Sequence, residues 1–182
     1  MEPPEALTVH AVPHPNPKVQ RVGFELHDTY VELVYAGVIG PTSVMLLRRL
    51  PVLWREREPA LVDLRELGLS LGLGASTAPS GHTWRTIQRL VRFGMAHWLP
   101  GDELGVRTQV APLHLRQLGR LPEWTRQVHD RLLGAHLDRL GAAQPDRSLD
   151  ADRTLDIARI TARLDHLQHR RPSLSRGLGL QP

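Results

Sequence analysis

The segment Gly81–Trp98, GHTWRTIQRLVRFGMAHW, leaves the chain fewer choices than any other. Trp84, Ile87, Val91 and Met95 recur at helical spacing with Leu90 beside them, so a helix here must bury one face. His82, Arg85, Arg89 and Arg92 stack at intervals of three and four on the other side, flanked by Thr86 and Gln88. The rest of the chain has to supply a core for the tryptophan side and leave the arginine side outward. Such a stripe is either an ordinary solvated face or a face for a polyanion.

The flanks narrow the arrangement. Downstream, the apolar run Met95–Leu99 meets Pro100-Gly101-Asp102, which is hairpin turn chemistry. Val106, Thr108 and Val110 then alternate with Arg107 and Gln109, the period of a half-buried strand. Upstream, Asp63 followed by Glu66 is an Asp-x-x-Glu variant of the capping box and predicts a helix starting at Leu64, with Leu64, Leu67 and Leu71 on one face. Before it, Thr42 or Ser43 can cap a helix running to about Arg57, carrying Val44, Leu47, Leu50 or Val52, and Leu53 or Trp54 inward. Pro51 should kink or divide that helix. Phe24–Tyr35, rich in β-branched and aromatic residues, fits a short strand or the first turns of a helix equally well.

Between the two helices lies GLSLGLGAS, Gly68–Ser76, which has the look of two enzyme motifs. Gly68-x-Ser70-x-Gly72 has nucleophile-elbow spacing, but an elbow needs a strand before its serine and a helix directly after it. Here a capped helix precedes Ser70. Gly72-Leu73-Gly74 lacks the third glycine of a dinucleotide loop and the Gly-Lys-Ser/Thr of a Walker loop. The stretch reads as a connector, and no catalytic activity is expected.

Composition limits the remaining options. A chain of 182 residues, 41% hydrophobic, can bury one core with helical appendages. Without cysteine it has no disulfide framework, thiolate metal site or cysteine nucleophile. The ten histidines, among them His129 and His136 seven apart and His166 and His169 three apart, form no His-x-x-x-His motif with a carboxylate, so no metal or other cofactor is expected. No segment approaches the roughly eighteen apolar residues of a spanning helix, and a cytoplasmic protein is expected.

Lys18 is the single lysine among 23 basic side chains, a bias that suits either a GC-rich genome or a phosphate-bearing partner. From Ser76 to Arg120 six arginines (85, 89, 92, 107, 116 and 120) face two acids, Asp102 and Glu103. That excess of four equals the whole chain's net charge of +4. A basic window in an otherwise balanced chain is the footprint of a polyanion-binding face, with solvated surface charge as the plain alternative.

The ends complete the organisation. Residues 1–22 hold five prolines and little apolar content, which predicts a flexible arm. Leu113, Leu115, Leu118 and Leu121 lead through Pro122-Glu123 into an amphipathic helix marked by Trp124, Val128, Leu132, Leu133, Leu137 and Leu140. A last helix from near Asp150 carries the seam Ile157, Ile160, Leu164 and Leu167, suited to intramolecular packing or to a homodimer interface. The expected domains are thus 23–112, C-terminal helices over 113–170, and a basic flexible tail over 171–182.

Leu64, Leu67-Gly68, then Thr83, Ile87, Leu90-Val91 and Gly94-Met95, then the turn around Gly101-Asp102 form a recognisable series. From about Pro41 to Val110 the chain resembles the winged helix-turn-helix DNA-binding domains of bacterial regulators. It departs from them in one place, since Gly72–Gly81 is longer than the usual turn of three or four residues.

The resemblance implies a mainly α fold, a winged helix with a two-stranded wing over 96–110 and added C-terminal helices. It also implies a sequence-specific double-stranded DNA-binding regulator, with the His82–Arg92 helix in the major groove. His82, Thr83, Arg85, Thr86, Arg89 and Arg92 would then belong to the DNA face. Ser76, Thr77 and Ser80 would offer hydroxyls to the DNA backbone, Arg107 would reach out from the wing, and Arg65 is a weaker candidate. Such regulators usually pair, so a homodimer is expected. An architectural or replication- or partition-associated DNA binder, or a protein-interaction module using the basic helix, are the alternatives.

Overall fold

The structure, a computed structural model, describes residues 2–142. The apolar seam expected at Ile157, Ile160, Leu164 and Leu167, the pair His166 and His169, and residues 171–182 lie outside the described residues.

The chain opens with a strand, β1 (Ala6–Val12), and this corrects the expectation of a flexible arm. Leu7 and Val9 point inward and are almost fully buried, while Thr8 and His10 alternate with them on the other face. The prolines at 3, 4, 13, 15 and 17 flank this alternation without interrupting it, so the run keeps its ladder hydrogen bonds. Helix α1 (Pro17–Val22) follows, with Pro17 in its first turn and the Asn16 side chain accepting the Lys18 amide at 2.9 Å. The same 22 residues thus hold a strand and a helix.

The open choice for residues 24–35 resolves as both. Phe24–Glu25 form the short strand β2, and from Tyr30 the chain coils into a π-helical turn (Val31–Tyr35) continuous with α2 (Ala36–Ile39). Gly40, at φ 84°, turns the chain directly into α3 (Pro41–Glu56). Neither Thr42 nor Ser43 caps that helix: Gly40 is the cap residue and Pro41 the first helical position. Pro51 does not divide it, and the helix runs unbroken from Pro41 to Glu56.

Strand β3 (Ala60–Asp63) leads into α4 (Leu64–Ser70), whose start is set as the sequence requires, Asp63 accepting the Glu66 amide at 2.9 Å. Next come α5 (His82–Arg92), the hairpin strands β4 (Ala96–Leu99) and β5 (Glu103–Arg107), and β6 (Gln109–Val110). The helices α6 (Leu115–Leu118) and α7 (Glu123–Ala142) follow. Gly101 at φ 81° and Asp102 at φ 59° make the hairpin turn. Beyond Arg107 the alternation does not stay in the hairpin, because β6 leaves it to pair with β2 through Phe24↔Val110.

The first strand makes the sheet. β1 lies between β3, to which it is antiparallel (Leu7↔Val62, Val9↔Ala60), and β5, to which it is parallel (Val9↔Leu104, Ala11↔Val106). The order is therefore β3-β1-β5-β4, four strands in place of the hairpin expected alone. The fold is mixed, predominantly helices with a small sheet. Leu7, Val9 and Leu104 on the inner face of the sheet meet Leu50 of α3, Leu67 of α4 and Leu90 of α5 in one core.

Leu113, Leu118, Leu121, Val128 and Leu133 join that core. The Tyr30 ring stacks on Phe24 with centroids 3.8 Å apart, and its hydroxyl accepts the Leu113 amide at 2.9 Å while donating to His129 Nδ1 of α7 at 2.6 Å. His136, seven residues on, stacks against Phe24 and reaches the Val22 carbonyl at 3.2 Å. Both histidines are thus occupied in docking α7. Trp124 does not join them: it is 60% exposed at the start of α7, against the expectation that it belongs to the apolar face.

Candidate nucleic-acid interface

Helix α5 divides as its sequence periodicity requires. Trp84, Ile87 and Leu90 are buried, and the Trp84 ring lies 5.7 Å from the half-buried Trp98 ring of β4. His82, Arg85, Arg89 and Arg92 lie along the opposite side, all four exposed there. None of the four takes part in an ion pair among the described residues, and α5 itself contains no acidic side chain. The row is a cationic surface with no carboxylate of its own to neutralise it.

The helix start is equally open. Gly81 is the N-cap, no side chain caps the first turn, and the first helical bond runs from the Arg85 amide to Gly81 O at 3.0 Å. The amides ahead of Arg85 therefore point out of the helix end, where the macrodipole favours an anion. Arg89 is the most constrained member of the row. Its guanidinium reaches the Ile39 carbonyl at 3.4 Å, and a Cβ on Gly40 would stand 2.9 Å from its Nη1. Glycine at position 40 thus serves the positive φ and leaves room for this arginine.

Two residues assigned to the DNA face by sequence are not on it. Thr83 is 1% and Thr86 6% exposed, and Thr86 Oγ1 donates back to the His82 carbonyl at 2.8 Å. Both fall on the flank that α5 turns toward the core, so neither hydroxyl can meet a ligand. Thr83 Oγ1 instead lies against Gly68 of α4, where a Cβ would stand 2.5 Å both from it and from Gly74 O. The close crossing of α4, the connector and α5 requires glycine at 68.

The connector is folded back on this crossing. Gly72 and Gly74 adopt positive φ, Leu73 N–H donates to Gly68 O at 2.8 Å, and Gly81 N–H donates to Ala78 O at 2.8 Å. Ser76 and Ser80 are exposed ahead of the start of α5 and Thr77 is half-buried. Ser70 ends α4, donates to the Leu67 carbonyl at 2.9 Å and receives a hydrogen bond from Arg49 of α3. A helix, and no strand, precedes it. Arg65 is exposed on α4 next to Glu66.

The hairpin differs most from expectation. Arg107 is half-buried, donates to His14 Nε2 at 3.1 Å and has its Nε enclosed without a partner, so it does not reach outward. Burial and the Arg107 guanidinium together hold His14 below its ordinary pKa, which keeps its ring neutral as an acceptor. Arg107 turns inward because β1, a strand that the prolines conceal, lies beside β5 and brings His14 with it. The hairpin tip is left with Asp102 and Glu103, the latter accepting from His10 Nε2 at 2.6 Å. Its only basic candidate is the exposed His97.

No family model matches the chain, and no curated protein or solved structure matches it. No helix among the described residues is long and apolar enough to cross a membrane.

Proposed function

We propose that the chain binds double-stranded DNA through α5 and acts as a sequence-specific regulator built on a winged-helix domain. The observation that carries this reading is the unneutralised row His82, Arg85, Arg89 and Arg92 on a helix with an open N-terminus. The order α3, β3, α4, α5 and the β4–β5 hairpin is the order of such a domain, with β1 as an added central strand. His82 and Arg85, nearest the helix start, are the base-reading positions, and an arginine bound to guanine through two hydrogen bonds contributes about 1–3 kcal/mol of discrimination. Arg89, held at the Ile39 carbonyl, and Arg92 address phosphates, with Ser76 and Ser80 as hydroxyl donors and Thr77 as a lesser one.

The test is the pair of substitutions Arg85→Ala and Arg89→Ala, assayed on duplex DNA selected from a random pool. Arg85→Ala should lower affinity about ten-fold or more and relax base preference at one position. Arg89→Ala should weaken all sequences alike and reduce the salt slope by about one. Unchanged binding by both variants, with the fold intact, would sink the proposal. An affinity insensitive to salt would point to a protein-interaction module, a reading favoured only by Phe93, 39% exposed at the end of the basic row. Binding without base preference would leave an architectural or replication- or partition-associated DNA binder.

A further inference from the structure

Among the described residues Trp124 is the most exposed of the large hydrophobic side chains after Leu61, and its surroundings in the chain are basic. Leu118 and Leu121, both buried, fasten the α6–α7 corner to the core, and Leu121 packs so closely on Gly37 of α2 that a Cβ there would meet it at 2.8 Å. With those two leucines filling the space below, Leu115, Arg116, Arg120 and Trp124 are left on the outside. Arg116 and Arg120 are in no ion pair among the described residues, and from Leu104 to Pro122 the sequence has no acidic residue. Glu123, the first acid after that stretch, is engaged by Arg126 at 2.5 Å.

We propose that this corner is a second nucleic-acid surface, separate from α5, that takes single-stranded nucleic acid. The Trp124 indole would stack on an unpaired base while Arg116 and Arg120 hold the adjoining phosphates. Charge complementarity favours this occupant, since two guanidiniums in no ion pair would be desolvated without compensation beside an apolar protein partner. An exposed indole is a costly surface group that a base face covers well, and stacking of this kind tolerates any sequence. The inference does not depend on α5 reading a duplex.

The experiment uses the full chain and a labelled oligothymidylate of about twenty nucleotides, read by anisotropy and by iodide quenching of tryptophan fluorescence. Trp54, Trp84 and Trp98 are at least half-buried, so the iodide-accessible emission reports mainly Trp124. The oligonucleotide should remove that accessible component. Trp124→Ala should weaken single-strand binding about ten-fold and Trp124→Phe much less, while duplex affinity stays the same. Arg116→Ala with Arg120→Ala should lower the single-strand salt slope, and Arg85→Ala should leave single-strand binding alone. The proposal fails if Trp124→Ala binds the single strand normally, or weakens duplex and single strand alike. It also fails if Trp124 is already shielded from iodide in the free protein, because another protein surface then covers it.

Discussion

The hydroxyl of Tyr30 joins three parts of the chain at one atom: the coil before α2, the segment entering α6, and α7. It is fully buried, and burial holds it far above its ordinary pKa, so at neutral pH it is a neutral donor and acceptor. His129 has the opposite problem. Burial lowers its pKa, only partly offset by Asp130, and as a neutral ring it accepts the hydrogen bond of the Tyr30 hydroxyl. A depressed histidine pKa contributes nothing above the unfolded value near 6.5, where both states are neutral. As pH falls below that value the unfolded chain binds a proton that the folded chain refuses, and stability declines until the folded pKa is reached. Urea midpoints should therefore fall between about pH 7 and 5, and His129→Gln should flatten that slope. Tyr30→Phe, which strands the Leu113 amide and the His129 nitrogen, should cost about 1–3 kcal/mol at neutral pH.

At the level of elements, most of what borders α5 is legible in the sequence because its signals are local. The Trp84 periodicity, the Asp63 cap and the Pro100-Gly101-Asp102 turn are each contained within a few residues. What escapes is non-local. Five prolines outweigh the Leu7/Val9 alternation, and nothing in residues 6–12 reveals that Val9 pairs with Leu104 or that Arg107 will meet His14. The inward turn of Thr83 and Thr86 is readable from the helical wheel, since both adjoin Trp84 and Ile87; only their hydroxyls suggest a place in the site. Because β1 is a central strand, deleting residues 2–12 should abolish cooperative urea unfolding, where loss of a mere arm would leave it intact. Circular dichroism across a urea titration would decide.

For the molecule as a whole, the proposed duplex binding would make the basic row on α5 one half-site's worth of surface. If the seam Ile157, Ile160, Leu164 and Leu167 pairs two chains, Ile160→Asp should give a monomer in sedimentation, and selected duplexes should lose their palindromy in proportion. A species that sediments as a monomer before substitution would overturn the homodimer that the resemblance implies.

The position of β1 also has a temporal side. Its residues are made before β5, which follows about a hundred residues later, roughly 5–20 s at ordinary elongation rates. During that interval Leu7 and Val9 belong to a strand whose β5 edge is unclaimed, and the β4–β5 hairpin, once made, must find a partner from the far end of the chain. Such distant pairing slows folding. An unpaired strand edge of this kind is a site for aggregation while the chain is still being made.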